Sequence, residues 1–292
     1  MELLVIVALL IIAGSLLYAA WKQMSMSVVT AIACVAIFAM VVLDDPDFLD
    51  YGPNSYLFYD LAFTSSDLTD PSYIYTPLTS MYTHASFMHL FINILVLVLM
   101  GIVLEQRIGT RHFMVLYLLA GLAGTLLFAA LNYGDEFVYV VGASGAISGI
   151  LGGFGRLYPS DKIMILLLPP MPAWIAVIVF FVLQIILIPV SSGIAYEAHL
   201  GGLAAGVVLA PLVLKLPLTR KKVKPRATLS SLRKLATTSE LVAMLNKIEQ
   251  ESVPDVRNAW TDHFLAKAKC PHCGSAVRLD GSSIMCEKGH LL

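Results

Sequence analysis

The 292-residue chain is short of charge: 13% of its residues are Asp, Glu, Lys or Arg, and 58% are hydrophobic. A soluble domain carries roughly 25% charged residues, so the composition excludes one and predicts an integral membrane protein. The shortage is uneven. Up to Leu214 the only basic residues are Lys22, Arg107, Arg111, Arg156 and Lys162, and the others begin at Lys215. A membrane domain followed by a polar tail is expected. No internal repeat and no low-complexity tract breaks this two-part plan. Cysteine is scarce as well, four in all, and Cys34 stands alone in an apolar run, where packing is its plain use.

What fills the first part is apolar sequence. Runs long enough to span lie at about 2–21, 26–43, 77–104, 112–131, 141–157, 163–189 and 197–214. A span needs about 20 residues, fewer or more with tilt, so seven transmembrane helices are predicted. The first run lacks the basic start of a signal peptide and exceeds the length of a signal core, so it reads as a retained span. Lys22, Arg107, Arg111, Arg156, Lys162 and the cluster Lys215, Arg220, Lys221, Lys222, Lys224 and Arg226 all fall on one side of this arrangement. The opposite loops, 44–76, 132–140 and 190–196, hold no Lys or Arg, and the first carries seven aspartates. By the positive-inside rule the N-terminus is outside and the tail is cytoplasmic, in a multi-pass protein of the cell membrane.

Glycine is concentrated in the segment Val140 to Gly153, where Ser144 sits between Gly142 and Gly145. Small residues of this kind also make ordinary helix-packing seams in membranes. A serine at a helix start, however, has unpaired backbone N–H groups and the positive end of the helix dipole beside it. Polar groups inside membrane helices are costly and usually functional. His84, His89 and Asn93 lie at the outer end of the third run, and His199 lies at the outer start of the seventh, before Gly201, Gly202 and Gly206. Orientation brings Ser144, His199, His89 and Asn93 to one depth, where interhelical hydrogen bonding is the simplest use for each taken alone. Together they fit nucleophilic catalysis. His199 is a suitable base for the Ser144 hydroxyl, and Gly202 and Gly206 would let the seventh helix approach the fifth closely. Asn93 and His89 could offer donors to an oxyanion beside the Ser144 N–H. No third triad member is evident, since Glu197 points elsewhere on the helix. A Ser–His pair is expected, with Oγ and the ring nitrogen within about 3.5 Å.

These residues resemble the rhomboid intramembrane serine proteases: Gly142-Ala-Ser144-Gly145, His84-x4-His89-x3-Asn93, and Ala198-His199-x2-Gly202-x3-Gly206. The resemblance implies an all-α polytopic fold with a six-helix core at 25–216, to which this chain adds one N-terminal helix at 1–24. It implies Ser144 as nucleophile and His199 as general base. It also implies an oxyanion hole of His89, Asn93 and the Ser144 N–H adjoined by Gly142. His84, Gly145, Gly202 and Gly206 would be structural residues near the site. It further implies a water-filled cavity opening outward, a membrane-edge first loop, and a mobile sixth span as gate. The substrates would be single-span membrane proteins with locally unstable helices, cut near a small side chain. Three departures stand out. Tyr75-Thr76 replaces the Trp-Arg pair that many members carry in the first outer loop, Ser148 replaces an aromatic that stacks on the base in some members, and a span precedes the core.

The tail holds a basic linker with one or two amphipathic helices over 229–250, within 217–262, and a final module at 263–292. Its basic run predicts an anchor at anionic headgroups rather than nucleic-acid binding. Cys270-x2-Cys273 and Cys286-x3-His290 have the ligand count and spacing of a structural zinc site, and the unit resembles a zinc ribbon. A cytoplasmic location disfavours disulfides, and His272, inside the knuckle, is a poorer ligand than His290. No cofactor is expected for catalysis. The competing reading is an inactive relative that binds membrane-protein clients, its zinc module docking a cytoplasmic partner. A transporter reading fails on the few charges in the membrane.

Overall fold

The computed structural model describes residues 3–135, 138–164, 169–187, 194–218, 227–251, 254–280 and 283–291. The basic residues Arg220 to Arg226 lie outside the described residues, as do the end of the sixth run and much of the loop after it. The chain divides into two compact units, 1–220 and 221–292.

The first unit is a helical bundle. Its long helices are α1 (Leu3–Lys22), α2 (Met26–Asp44), α3 (Phe87–Ile108), α4 (Thr110–Leu131), α5 (Ser144–Leu157), α6 (Ala173–Leu187) and α7 (Tyr196–Val213). Among the described residues, α1, α2, α3, α4 and α7 are long and apolar enough to cross a membrane. The chain is a multi-pass membrane protein. Of the other two, α5 has 14 residues, short of a full crossing, and the described part of α6 has 15, ending where the described residues end. For α5 the cause is its approach, because Tyr139 and Val140 enter as an extended strand (β2) paired with Phe63–Thr64 (β1), and the helix starts only at Ser144. The start of α6 at Ala173 is set by proline. Pro169, Pro170 and Pro172 each lack an N–H and push the preceding residue out of helical geometry. The segment instead closes a small hairpin, Lys162–Ile163 (β3) against Met171–Pro172 (β4).

The third run also starts later than its apolarity predicts, at Phe87 instead of near residue 77. Residues Thr76–Thr79 and Ser80–Tyr82 form two short turns, Thr83 is extended, and Ser86 caps α3 by accepting from the His89 N–H. His84 therefore sits in the entry loop, off the helix that carries His89 and Asn93.

The loop between α2 and α3 is built rather than loose. Phe48, Phe58 and Phe63 are buried, and Phe58 meets Tyr139 edge-on at 5.6 Å. Asp67 accepts from the Thr64 N–H at 3.0 Å and from the Thr76 hydroxyl at 2.7 Å. Thr76 thus ties the loop at the position where a Trp-Arg pair is lacking. At the opposite end, buried Glu105 accepts from the Met26 and Ser27 N–H groups and both flanking serine hydroxyls. Those groups would be unpaired at the start of α2, and a carboxylate suits a helix N-terminus.

Glycines set the spacing at the centre. A Cβ on Gly202 would lie 1.9 Å from the Gly145 carbonyl oxygen, and one on Gly206 would lie 1.9 Å from that of Gly149. Helices α5 and α7 therefore meet backbone to backbone, as the sequence predicts.

The second unit has α8 (Leu229–Leu235), α9 (Ser239–Gln250), α10 (Pro254–Lys267) and a hairpin of β5 (Val277–Asp280) and β6 (Ser283–Cys286). Thr228 and Thr238 cap α8 and α9 through their hydroxyls. Helix α10 runs across the junction at 262/263. One apolar core takes Leu232, Leu245 and Ile248 from the helices and Ile284 from the hairpin, so the linker and the final module fold around shared contacts.

Candidate active site

Ser144 opens α5 because the backbone turns sharply before it. Gly142 has φ +110°, a region that side-chain-bearing residues rarely adopt. Its N–H donates to the Ser80 carbonyl at 2.8 Å, fixing the turn. A Cβ there would also strike the His89 ring, 2.7 Å from Nε2, and would lie 3.7 Å from Ser144 Oγ. Gly142 thus keeps open a small space that both His89 and Ser144 border.

The close approach of α7 to α5 brings the two predicted residues together. His199 Nε2 is 2.7 Å from Ser144 Oγ, inside the reach expected from the sequence. The other ring nitrogen, Nδ1, is 2.8 Å from Oε1 of Gln184 on α6. The imidazole is flanked by Tyr196, edge-on with centroids 6.2 Å apart, and by Phe180 at 6.4 Å. Ser148, where an aromatic was missing, donates to the Ser144 carbonyl at 2.7 Å and supports the first turn of α5.

His89 and Asn93 share a face of α3, and Asn93 Nδ2 donates to the His89 carbonyl at 2.8 Å. An amide carries two N–H bonds, so the second is left for another acceptor. Asn93 Oδ1 is buried with no protein partner among the described residues. His84 is buried beneath His89, ring centroids 5.1 Å apart, with Nδ1 3.3 Å from the Tyr82 carbonyl oxygen. It supports the His89 ring and does not reach the serine–histidine pair.

Gln184 is the residue that the sequence reading missed. Its signal was present: Gln184 is the one polar side chain in the 15-residue segment AWIAVIVFFVLQIIL, yet it is buried. Asn93 draws notice because it shares a helix face with His89, and Gln184 has no such neighbour in the sequence.

In the second unit Cys270, Cys273, Cys286 and His290 point their ligand atoms at one another, all within 4.8 Å. Cys273 Sγ to Cys286 Sγ is 3.7 Å, and Cys286 Sγ to His290 Nδ1 is 3.4 Å. Zinc–sulfur bonds of about 2.3 Å in a tetrahedron place sulfurs about 3.8 Å apart, so the four donors fit such an ion. The cysteines are free thiols. Hydrogen bonding from Ser275 holds the Cys273 thiol down to about 6, toward the thiolate that a metal needs. The His272 ring lies tilted against that of His290, centroids 5.5 Å apart, and stands outside the set.

The sequence profile of the Rhomboid domain matches residues 71–216. The chain is 34% identical over 140 residues to Rhomboid protein 1, mitochondrial, of Saccharomyces cerevisiae, covering 44% of this chain and 39% of that one. It is 29% identical over 148 residues to Rhomboid-like protease 3 of Toxoplasma gondii, covering 45% and 48%. With Rhomboid-type serine protease 2 of Emericella nidulans the identity is 30% over 146 residues, covering 47% and 26%. In each case the match spans less than half of the relative.

Proposed function

The chain belongs to the rhomboid family, and from that premise we propose that it is an intramembrane serine endopeptidase cutting transmembrane segments near the outer face. The observation that carries this reading is the 2.7 Å contact between Ser144 Oγ and His199 Nε2. Ser144 Oγ attacks the scissile carbonyl carbon while its proton passes to His199 Nε2. The oxyanion lies at the start of α5, beside the Ser144 N–H, His89 and the free Asn93 N–H. Collapse of this intermediate breaks the C–N bond, and the leaving amine takes the proton from His199. Water, deprotonated by the same ring, then attacks the acyl-enzyme carbonyl carbon and releases Ser144. A helical carbonyl in a membrane is hydrogen-bonded and shielded, so the substrate must unwind locally. Single-span proteins with unstable helices fit that demand. The Lys and Arg distribution puts the N-terminus outside and the tail in the cytoplasm.

A fluorophosphonate tests the nucleophile without a known substrate: Ser144 Oγ bonds to phosphorus and fluoride leaves. Mass spectrometry of the detergent-solubilised protein is expected to find the adduct on the peptide containing Ser144. An adduct confined to other serines would reject Ser144 as the nucleophile.

For the second unit the reading is a structural zinc site of Cys270, Cys273, Cys286 and His290. Structural zinc contributes on the order of 10–16 kcal/mol of apparent binding energy at pH 7, more than a unit this small can replace. Chelation, or Cys273→Ser, is expected to open the 270–291 segment to trypsin. The protected fragment should then shrink, and added zinc should restore it only in the wild type. A fragment pattern unchanged by chelation would rule the metal out.

A further inference from the structure

Helix α6 offers the bundle almost nothing but apolar surface. Ile178, Phe181, Val182, Leu183, Ile185 and Ile186 are exposed, and Gln184 between them is turned inward, 7% exposed. An amide buried in a membrane helix costs free energy unless it is paired. Its observed partner is the imidazole that the proposed mechanism uses as base, at 2.8 Å. We propose that Gln184 is a positioning residue for the general base, its side-chain carbonyl fixing His199 as the Nδ1–H tautomer facing Ser144. This rests on the serine protease reading above.

The argument is one of proton placement. To take the Ser144 proton, Nε2 must present a lone pair, so the hydrogen of the neutral ring belongs on Nδ1. Only an acceptor can face Nδ1–H, and Gln184 Oε1 is that acceptor. Neither flanking ring can do this. Phe180 has no acceptor, and Tyr196 meets the imidazole edge-on at 6.2 Å between centroids. As the ring becomes imidazolium in the transition state, the Nδ1–H···O contact turns charge-assisted and strengthens. The contribution therefore grows along the reaction coordinate, where it lowers the barrier. A neutral amide cannot balance the imidazolium charge as a carboxylate does, so its share is smaller.

The experiment compares full-length wild type, Gln184→Met, Gln184→Glu and Ser144→Ala on a single-span reporter in proteoliposomes. Methionine keeps the volume and removes the acceptor. It is expected to lower kcat by about ten- to hundredfold and leave KM within about twofold, well short of the roughly 10⁴-fold cost of a wrong tautomer in carboxylate triads. Glutamate restores an acceptor oxygen at the same reach and is expected to keep kcat within about threefold of wild type. A side chain that merely docked α6 on α7 would change KM and thermal midpoint, and glutamate would not rescue it. A Gln184→Met kcat within about twofold of wild type, or a loss that Gln184→Glu fails to restore, overturns the proposal. If Gln184→Met does not fold, Gln184→Asn replaces it, withdrawing the acceptor by one methylene; the same loss is expected, and retained kcat overturns the proposal. Failure of the underlying reading shows separately: Ser144→Ala that still cleaves removes the serine mechanism, and this proposal with it, whatever the Gln184 variants do.

Discussion

Ser144→Ala is expected to reduce cleavage of a single-span reporter by on the order of 10⁴-fold or more, with reporter binding within a few-fold of wild type. The substitution removes the atom proposed to form the acyl-enzyme, and among the described residues no other hydroxyl is placed to replace it. Ser148 lies one turn on, but its hydroxyl is committed to the Ser144 carbonyl at 2.7 Å. His199→Ala should cost a similar factor, because an unactivated serine is a weak nucleophile. The two residues act as a unit, so the double variant should be little worse than either single one, as joint removal of coupled groups generally shows. Folding should be nearly untouched. Alanine at the first position of α5 keeps the backbone contact with α7 and loses one hydrogen bond, worth about 1 kcal/mol. Single-turnover rates in proteoliposomes, with binding read by co-purification, check all three statements. Cleavage by Ser144→Ala within tenfold of wild type would end the hydrolytic reading. Equal binding and no product from wild type and variants alike would favour a client-binding relative.

The sequence carried the parts of this site that depend on composition and depth. Length and apolarity located the seven long helices of the bundle, though not the short ones at Phe48–Tyr51 and Tyr56–Leu61, and the placement of Lys and Arg predicted one level for Ser144 and His199. What it did not carry depends on local breaks and on a lone amide outside any motif. Hydropathy reads Pro169, Pro170 and Pro172 as a pause in an apolar run, but Pro172 lies in the second strand of a hairpin, and the helix starts only after it. It reads 77–86 as apolar, while Thr83 and Ser86 adopt extended geometry and delay α3 to Phe87. Thr76 could not be seen as the partner of Asp67, since such pairs leave no periodic trace. Gln184 carries no charge and no motif, and only the packing of α6 against α7 shows what it faces. In the tail, the spacing of Cys270, Cys273, Cys286 and His290 was legible because four donors around one ion need a short knuckle. The shared apolar core with α8 and α9 was not.

Gly206→Ala should be among the most damaging single methyl additions in the bundle. Its Cβ would lie 1.9 Å from the Gly149 carbonyl oxygen and 2.7 Å from the carbonyl carbon. Those are backbone atoms inside a helix and have no rotamer to change. Relief requires α7 to move outward by more than about 1 Å, since ordinary contact begins near 3.4 Å. The glycine seam holds this pair because the membrane supplies no hydrophobic drive between helices, and close backbone packing takes its place. Separation forfeits those contacts, and overpacking of this kind costs about 1–3 kcal/mol or more. The second consequence is chemical. His199 rides on α7 and Ser144 on α5, so the same movement opens their 2.7 Å contact. Misplacement of a reacting group by about 1 Å costs about a hundredfold in rate. Gly206→Ala is therefore expected to lower the thermal midpoint in detergent and to cut kcat by about a hundredfold or more. Gly202→Ala, with its Cβ 1.9 Å from the Gly145 oxygen and one turn nearer the site, should be at least as severe. Gly14→Ala on α1 is the control: its Cβ meets nothing within 4 Å, and a helical Gly→Ala exchange favours the helix by about 1 kcal/mol. A Gly206→Ala protein that melts and cleaves like wild type, beside an unchanged Gly14→Ala, would mean that α5 and α7 are not held backbone to backbone.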